Sequence, residues 1–293
     1  MNYAQPGILD DVPAQARYLS FSINPEGDLR QALKNLTALA DGKKIVVGIG
    51  TQIVDSLGAS VPGLTKFPRL KGAQVDIPST DTALWCWLRG DDRGELVLLS
   101  RDVTDQLKNA LSCDSIIDAF HYDIGRDLTG YEDGTENPQG SKALDVGILS
   151  CEDALLNGSS FVAVQQWVHN LDDFFSLPQN EQDDIIGRRK FDNEEFKEAP
   201  VTAHVKRTAQ ENFEPEAFIL RRSMPWADDR HEGLNFVAFG KSFDAFDVQL
   251  KRMSGAEDGV VDALFSFTTP VTGSYFWCPP MLNGSLNLKQ LGV

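Results

Sequence analysis

Residues 16–23, Ala-Arg-Tyr-Leu-Ser-Phe-Ser-Ile, alternate with the period of two that marks a strand with one buried face. Leu29, Ala32, Leu33, Leu36 and the Leu39/Ala40 pair then share one face of a helix over 28–41, which Gly42 ends. Lys43 to Gly48 is a β-branched apolar run and predicts a second strand. The Gly-, Pro- and Ser-rich stretch 50–81, with Phe67-Pro68-Arg69-Leu70-Lys71-Gly72 inside it, is too long for an idle connection and is expected to cover or line something. A third strand over Ala83–Arg89, a helix from about Asp91 to Leu111, and a fourth strand over Ser115–Tyr122 with His121 inside it follow. Strand–helix–strand twice over is the order of a ferredoxin-like unit.

After Asp145 the pattern repeats without sequence identity. Strands are expected over 159–168, Phe218–Arg222 and Leu234–Phe239, and helices over 170–176, 179–186 and 241–253. Phe265 to Trp277 closes the chain as an extended segment broken at Pro270 and Gly273. The fold class expected is α+β, with two ferredoxin-like halves built on antiparallel sheets. The first half spans residues 1–145 and the second 146–293.

Composition narrows the function. With 42% apolar and 24% charged residues the chain is globular, and no apolar run approaches the ~20 residues of a membrane helix. A formal charge of −16 argues against general nucleic-acid binding, which needs a basic face. Cys86, Cys113, Cys151 and Cys278 are widely spaced, so neither a zinc cluster nor a disulfide framework is expected. Met1-Asn2-Tyr3-Ala4-Gln5-Pro6 has no basic or apolar leader pattern, and a cytoplasmic protein is expected.

Chemistry concentrates in Gly125–Gly140, Gly-Arg-Asp-Leu-Thr-Gly-Tyr-Glu-Asp-Gly-Thr-Glu-Asn-Pro-Gln-Gly. Its glycines shape a loop, and Asp127, Glu132, Asp133 and Glu136 make that loop either a solvated turn or a binding surface. The four histidines, His121, His169, His204 and His231, show no paired spacing for zinc. A site needing one axial nitrogen stays open, haem being the common cofactor of that kind. Nothing in the residues themselves selects among the four.

The loop resembles a family signature. Gly130-Tyr131-Glu132-Asp133-Gly134 fits the Gly-x-x-Asp-Gly motif of the dye-decolorizing (DyP-type) haem peroxidases, and Gly125-Arg126-Asp127-Leu128-Thr129 and Thr135-Glu136-Asn137-Pro138 extend the match. The resemblance runs from about Arg17 to Pro280 and points to the compact bacterial members. It implies a fold of the dimeric α+β barrel type and one heme b per chain. His204 is the implied iron ligand, ahead of the arginine strand Phe218-Ile219-Leu220-Arg221-Arg222-Ser223-Met224-Pro225, while His169 is structural and His231 exposed. Asp262 is implied to accept the other ring N–H of His204. Asp133, Arg221 and Ser223 are the implied catalytic side chains, with Arg222 facing away. Arg188, Glu136 and Asn137 join the implied cofactor contacts, Arg188 by pairing with a propionate.

What the resemblance implies is reduction of hydrogen peroxide at the expense of dyes, phenols or other organic one-electron donors, by a homo-oligomer. Haem processing with iron release, or a non-catalytic haem carrier, are the alternatives on the same fold. The tail Leu282–Lys289 loosely resembles tags that direct some relatives into a protein shell, which adds an encapsulating shell protein to the implied partners.

Overall fold

Eight antiparallel strands close on themselves in the computed structural model, which describes residues 2–293. Going round, Ser160–His169 pairs with Ser274–Cys278, followed by Ile45–Ile49, Leu84–Gly90, Gln15–Ile23, Leu111–Phe120, Met224–Ala227 and Glu232–Gly240. Glu232–Gly240 then pairs back with Ser160–His169 over Phe161↔Gly240 to Val168↔Gly233, which closes the barrel. Closure removes the free sheet edges that would otherwise pair with other chains.

The period of two sorts each strand's side chains into two cores. Trp85 and Trp87, with Tyr18, Val46, Phe239 and Phe276, fill the inside. Tyr18 stacks on both tryptophans at centroid distances of 5.9 and 6.1 Å. The alternate residues Leu84, Cys86 and Leu88 face outward, under Leu33 and Leu36 of the helix Leu29–Leu39 and Leu96 and Val103 of the helix Arg93–Leu107. Asp28 and Asp92 cap these two helices, accepting from Gln31 N–H and Glu95 N–H. The helix Asp244–Met253 packs on the same outer face through Phe246 and Leu250.

Most expected elements form, with shifted ends. The second helix stops at Leu107, because Leu111 is fully buried and already paired with Ile23 as the start of the next strand. That strand ends at Phe120, so His121 lies outside it and is exposed. The arginine strand is ladder-paired only at Leu220–Arg221, and Met224–Ala227 is a separate barrel strand that the periodicity did not reveal. The stretch 50–81 opens with a helix, Thr51–Ser56, and then covers the outer core. Phe67 packs there 4.8 Å from the Tyr275 ring.

Candidate active site

One cavity of about 300 Å³ opens on the outer face of the second half. Its floor is the sheet, through Gln165 and Trp167 of one strand and Leu234 and Phe236 of the next. The helix Asp244–Met253, the short helix His204–Arg207 and the glycine loop wall it in. None of the residues 50–81 lines it.

His204 opens its short helix behind Pro200-Val201-Thr202-Ala203. Its Nδ1 lies 2.8 Å from Asp262 Oδ2, and its Nε2 has no hydrogen-bond partner among the described residues. Asp262 is 1% exposed, and its second oxygen accepts from Leu264 N–H at 2.9 Å. A buried carboxylate fixed from two sides holds the ring proton on Nδ1 and leaves the Nε2 lone pair available.

Arg221 and Asp133 form an ion pair at 3.2 Å, and both line the cavity. Arg222, the next residue on the strand, turns inward and donates to Ile8 and Leu9 carbonyls at 3.1 and 2.9 Å. Burial pushes its guanidinium below the usual arginine range. Asn137 does not line the cavity. Its amide spans the Arg221 backbone, accepting from Arg221 N–H at 2.8 Å and donating to the Arg221 carbonyl at 3.0 Å. Gly134 makes this possible, with φ of +72° and only 2.7 Å between a virtual Cβ and Asn137 Nδ2. The loop and the arginine strand, 84 residues apart, are thereby held in one register.

Ser223 stands outside the cavity lining, where its Oγ accepts from Val237 N–H at 3.2 Å and serves the sheet. Arg188 and Glu136 do line the cavity and pair at 3.0 Å, but Arg188 also pairs with Glu195 at 2.8 Å.

A second histidine–aspartate pair borders the same cavity. His169 Nε2 lies 3.1 Å from Asp127 Oδ1, and its Nδ1 lies 2.6 Å from Thr268 Oγ1. Burial pushes the Asp127 carboxyl up, yet hydrogen bonds from His169 and Thr129 outweigh it and hold the group below the usual carboxylate range. The sequence placed Asp127 in the loop and His169 at a strand end. Only folding joins them.

A cavity lined by an imidazole with one nitrogen unpartnered among the described residues and by an arginine–aspartate ion pair fits an enzyme that borrows a single-ligand metal cofactor. Residues 125–283 match the family model "Dyp-type peroxidase, C-terminal". The dye-decolorizing peroxidase of Rhodococcus erythropolis is 31% identical over 291 residues, covering 93% of this chain and 85% of its own. That of Mycobacterium tuberculosis is 29% identical, covering 94% and 88%. A putative Dyp-type peroxidase from Shewanella oneidensis superimposes with a TM-score of 0.89 at 31% identity, covering 99% of this chain and 98% of its own. A DypB variant from Rhodococcus jostii RHA1 in complex with heme gives 0.86 at 26% identity, covering 93% and 94%. The chain belongs to the Dyp-type peroxidase family. It is a haem peroxidase, and neither haem processing nor haem carriage is favoured.

Proposed function

We propose that the cavity holds one heme b per chain on His204 Nε2, and that the chain reduces hydrogen peroxide there with electrons from an organic donor. The observation that carries this reading is His204 itself, with one nitrogen on a buried carboxylate and the other, in the cavity, unpartnered among the described residues. The lining fits the group. It is largely apolar, with Ile186, Val205, Ile219, Leu250 and Leu264 around it. Gln165 Nε2 and Trp167 Nε1 are buried there without a partner among the described residues, leaving donors for a bound acceptor.

Bound haem would supply an iron centre that peroxide can oxidise and that can then take electrons back one at a time from an organic donor. The chain's own residues do the rest. Asp262 orients His204 and, by holding its Nδ1 proton, makes Nε2 a stronger donor. Asp133 offers the carboxylate that takes a proton from one peroxide oxygen and returns it to the other. Arg221 places a fixed cation where negative charge grows as the O–O bond breaks. Asn137 acts through Arg221 as a positioning residue, and Arg188 is available to a propionate. Ser223 takes part only through the backbone that follows Arg221.

The decisive measurement is an absorption spectrum of the purified chain titrated with hemin and then with peroxide. A Soret band that shifts on peroxide is expected. A colourless protein sinks the reading. Arg221→Ala slows the spectral change about 100-fold or more, and an unchanged rate removes Arg221 from the chemistry.

The same reading extends to architecture and setting. The halves 1–145 and 146–293 each give four strands to the barrel, arranged second, third, first, fourth in both, which supports two ferredoxin-like units in one dimeric α+β barrel type of fold. Four free cysteines suit a reducing, cytoplasmic setting. No helix among the described residues is long and apolar enough to cross a membrane. Exposed Ile116, Tyr122 and Ile124 favour a homo-oligomer. A shell-protein partner would have to draw on a tail whose Leu286 and Leu288 are packed into the core.

A further inference from the structure

We infer that Tyr131 is a one-electron relay between the cavity and the surface beside Phe175, with Asp183 as the acceptor of its proton. The inference rests on the peroxidase reading and deepens it, because it names where electrons from donors too large for the cavity enter the protein.

Tyr131 stands two residues before Asp133 and lines the cavity, yet is only 4% exposed. Its hydroxyl donates to Asp183 Oδ1, a contact between buried groups. That same oxygen accepts from Gln179 Nε2 at 2.8 Å and from Lys190 N–H at 3.2 Å. That oxygen is the acceptor in all three bonds, so the Tyr131 proton can pass to it along the bond already made. Gln179 Nε2 also donates to the Tyr131 oxygen at 3.0 Å, which keeps the two oxygens in line.

Burial, and then the Asp183 carboxylate, push the Tyr131 phenol well above its ordinary range, so its ground state is the neutral phenol. A neutral phenol gives up an electron readily only if its proton leaves with it. Here the acceptor is already hydrogen-bonded. Tyr131 therefore loses one electron to the peroxide-oxidised cofactor while its O–H bond breaks and the proton passes to Asp183. A neutral tyrosyl radical and a neutral carboxylic acid result. An aromatic donor at the surface returns the electron, the proton moves back, and the donor leaves as its one-electron oxidised form.

The way out is short. The Lys190 ammonium lies over the Tyr131 ring at 5.5 Å and over the Phe175 ring at 5.1 Å, and Phe175 is 48% exposed. The buried Phe174 ring bridges them, 6.2 Å from Tyr131 and 5.7 Å from Phe175. An exposed ring beside a cation, with a tyrosine directly behind, suits an aromatic donor bearing an anionic group.

Tyr275 offers an internal comparison. Its hydroxyl donates to Asp247 Oδ1 at 2.5 Å, but it does not line the cavity. The test is freeze-quenched paramagnetic resonance on haem-loaded protein after one equivalent of peroxide, with the signal counted per bound haem. A tyrosyl signal is expected in the parent protein, lost in Tyr131→Phe, weakened in Asp183→Asn and retained in Tyr275→Phe. A signal that survives Tyr131→Phe, or disappears only in Tyr275→Phe, overturns the relay while leaving the peroxidase reading intact. A parent protein whose Soret band ignores peroxide overturns both. In cofactor-free protein, the ultraviolet Raman difference between parent and Tyr131→Phe should report a strongly donating phenol, and a non-donating one overturns the assignment of Asp183.

Discussion

Two histidines border the cavity, each beside an aspartate, and they are put to different uses. His169 has both nitrogens engaged, one by Thr268 and one by Asp127, and its side chain is only 5% exposed. His204 has one nitrogen engaged, and its side chain is 20% exposed toward the cavity. The residue pairing is the same, yet only one ring keeps a lone pair to give. What separates a ligand from a brace is therefore the second nitrogen's environment rather than the carboxylate partner.

The sharpest way to break this comparison is to delete each ring. His204→Ala should lose the Soret band at hemin concentrations that saturate the parent protein, whereas His169→Asn should keep it. The reverse result would exchange the two roles.

A smaller effect is expected one step out. Asp262→Asn keeps the ring in place but can no longer hold the Nδ1 proton as an ionised acceptor. Altered outer partners of a ligating histidine typically cost 10–100-fold in affinity or activity, and a loss of about that size is expected in turnover per bound haem. An unchanged turnover would show that Asp262 only caps the turn at Ala263–Ser266, to which it is also bonded.

Next comes stability. His169 joins Ser160–His169 to the glycine loop through Asp127 and to Thr268–Pro270 through Thr268. His169→Asn strands buried partners and should cost about 1–3 kcal/mol in denaturant unfolding, with the haem band retained. No loss would mean that the loop is held by Asn137 and the arginine strand alone.

Much of this was legible in the sequence, and the reasons for the remainder are physical. The barrel strands and helices followed from periodicities that are local properties of Ala16–Ile23, Leu29–Leu39 and Asp244–Met253. The loop, His204, Asp262, Arg221 and Asp133 came from a resemblance, and the fold places all of them but Asp262 on the cavity wall. Asn137 shows what spacing cannot reveal. Its partner is a backbone 84 residues away, so a residue expected to touch the cofactor proves to clamp Arg221. Ser223 lies outside the cavity lining for a related reason, since its Oγ accepts from the backbone N–H of Val237 on the neighbouring strand. The strand Met224–Ala227 escaped because Pro225 interrupts its alternation.

The finest distinction between the two pairs is in acid. Asp127 titrates below its unfolded value because His169 and Thr129 hold the ionised form against the cost of burial. A depressed carboxyl contributes stability that is fully present above the unfolded pKa of about 3.9 and is lost as the pH falls through the folded value. Asp127→Asn removes that contribution, while the chain's other carboxylates titrate alike in both proteins. The stability difference between parent and variant should accordingly be largest near neutral pH and shrink below about pH 4. Denaturant melts at a series of pH values measure it. A difference that stays constant into strong acid would mean that Asp127 serves by shape and hydrogen bonding alone, and the brace would then owe nothing to charge.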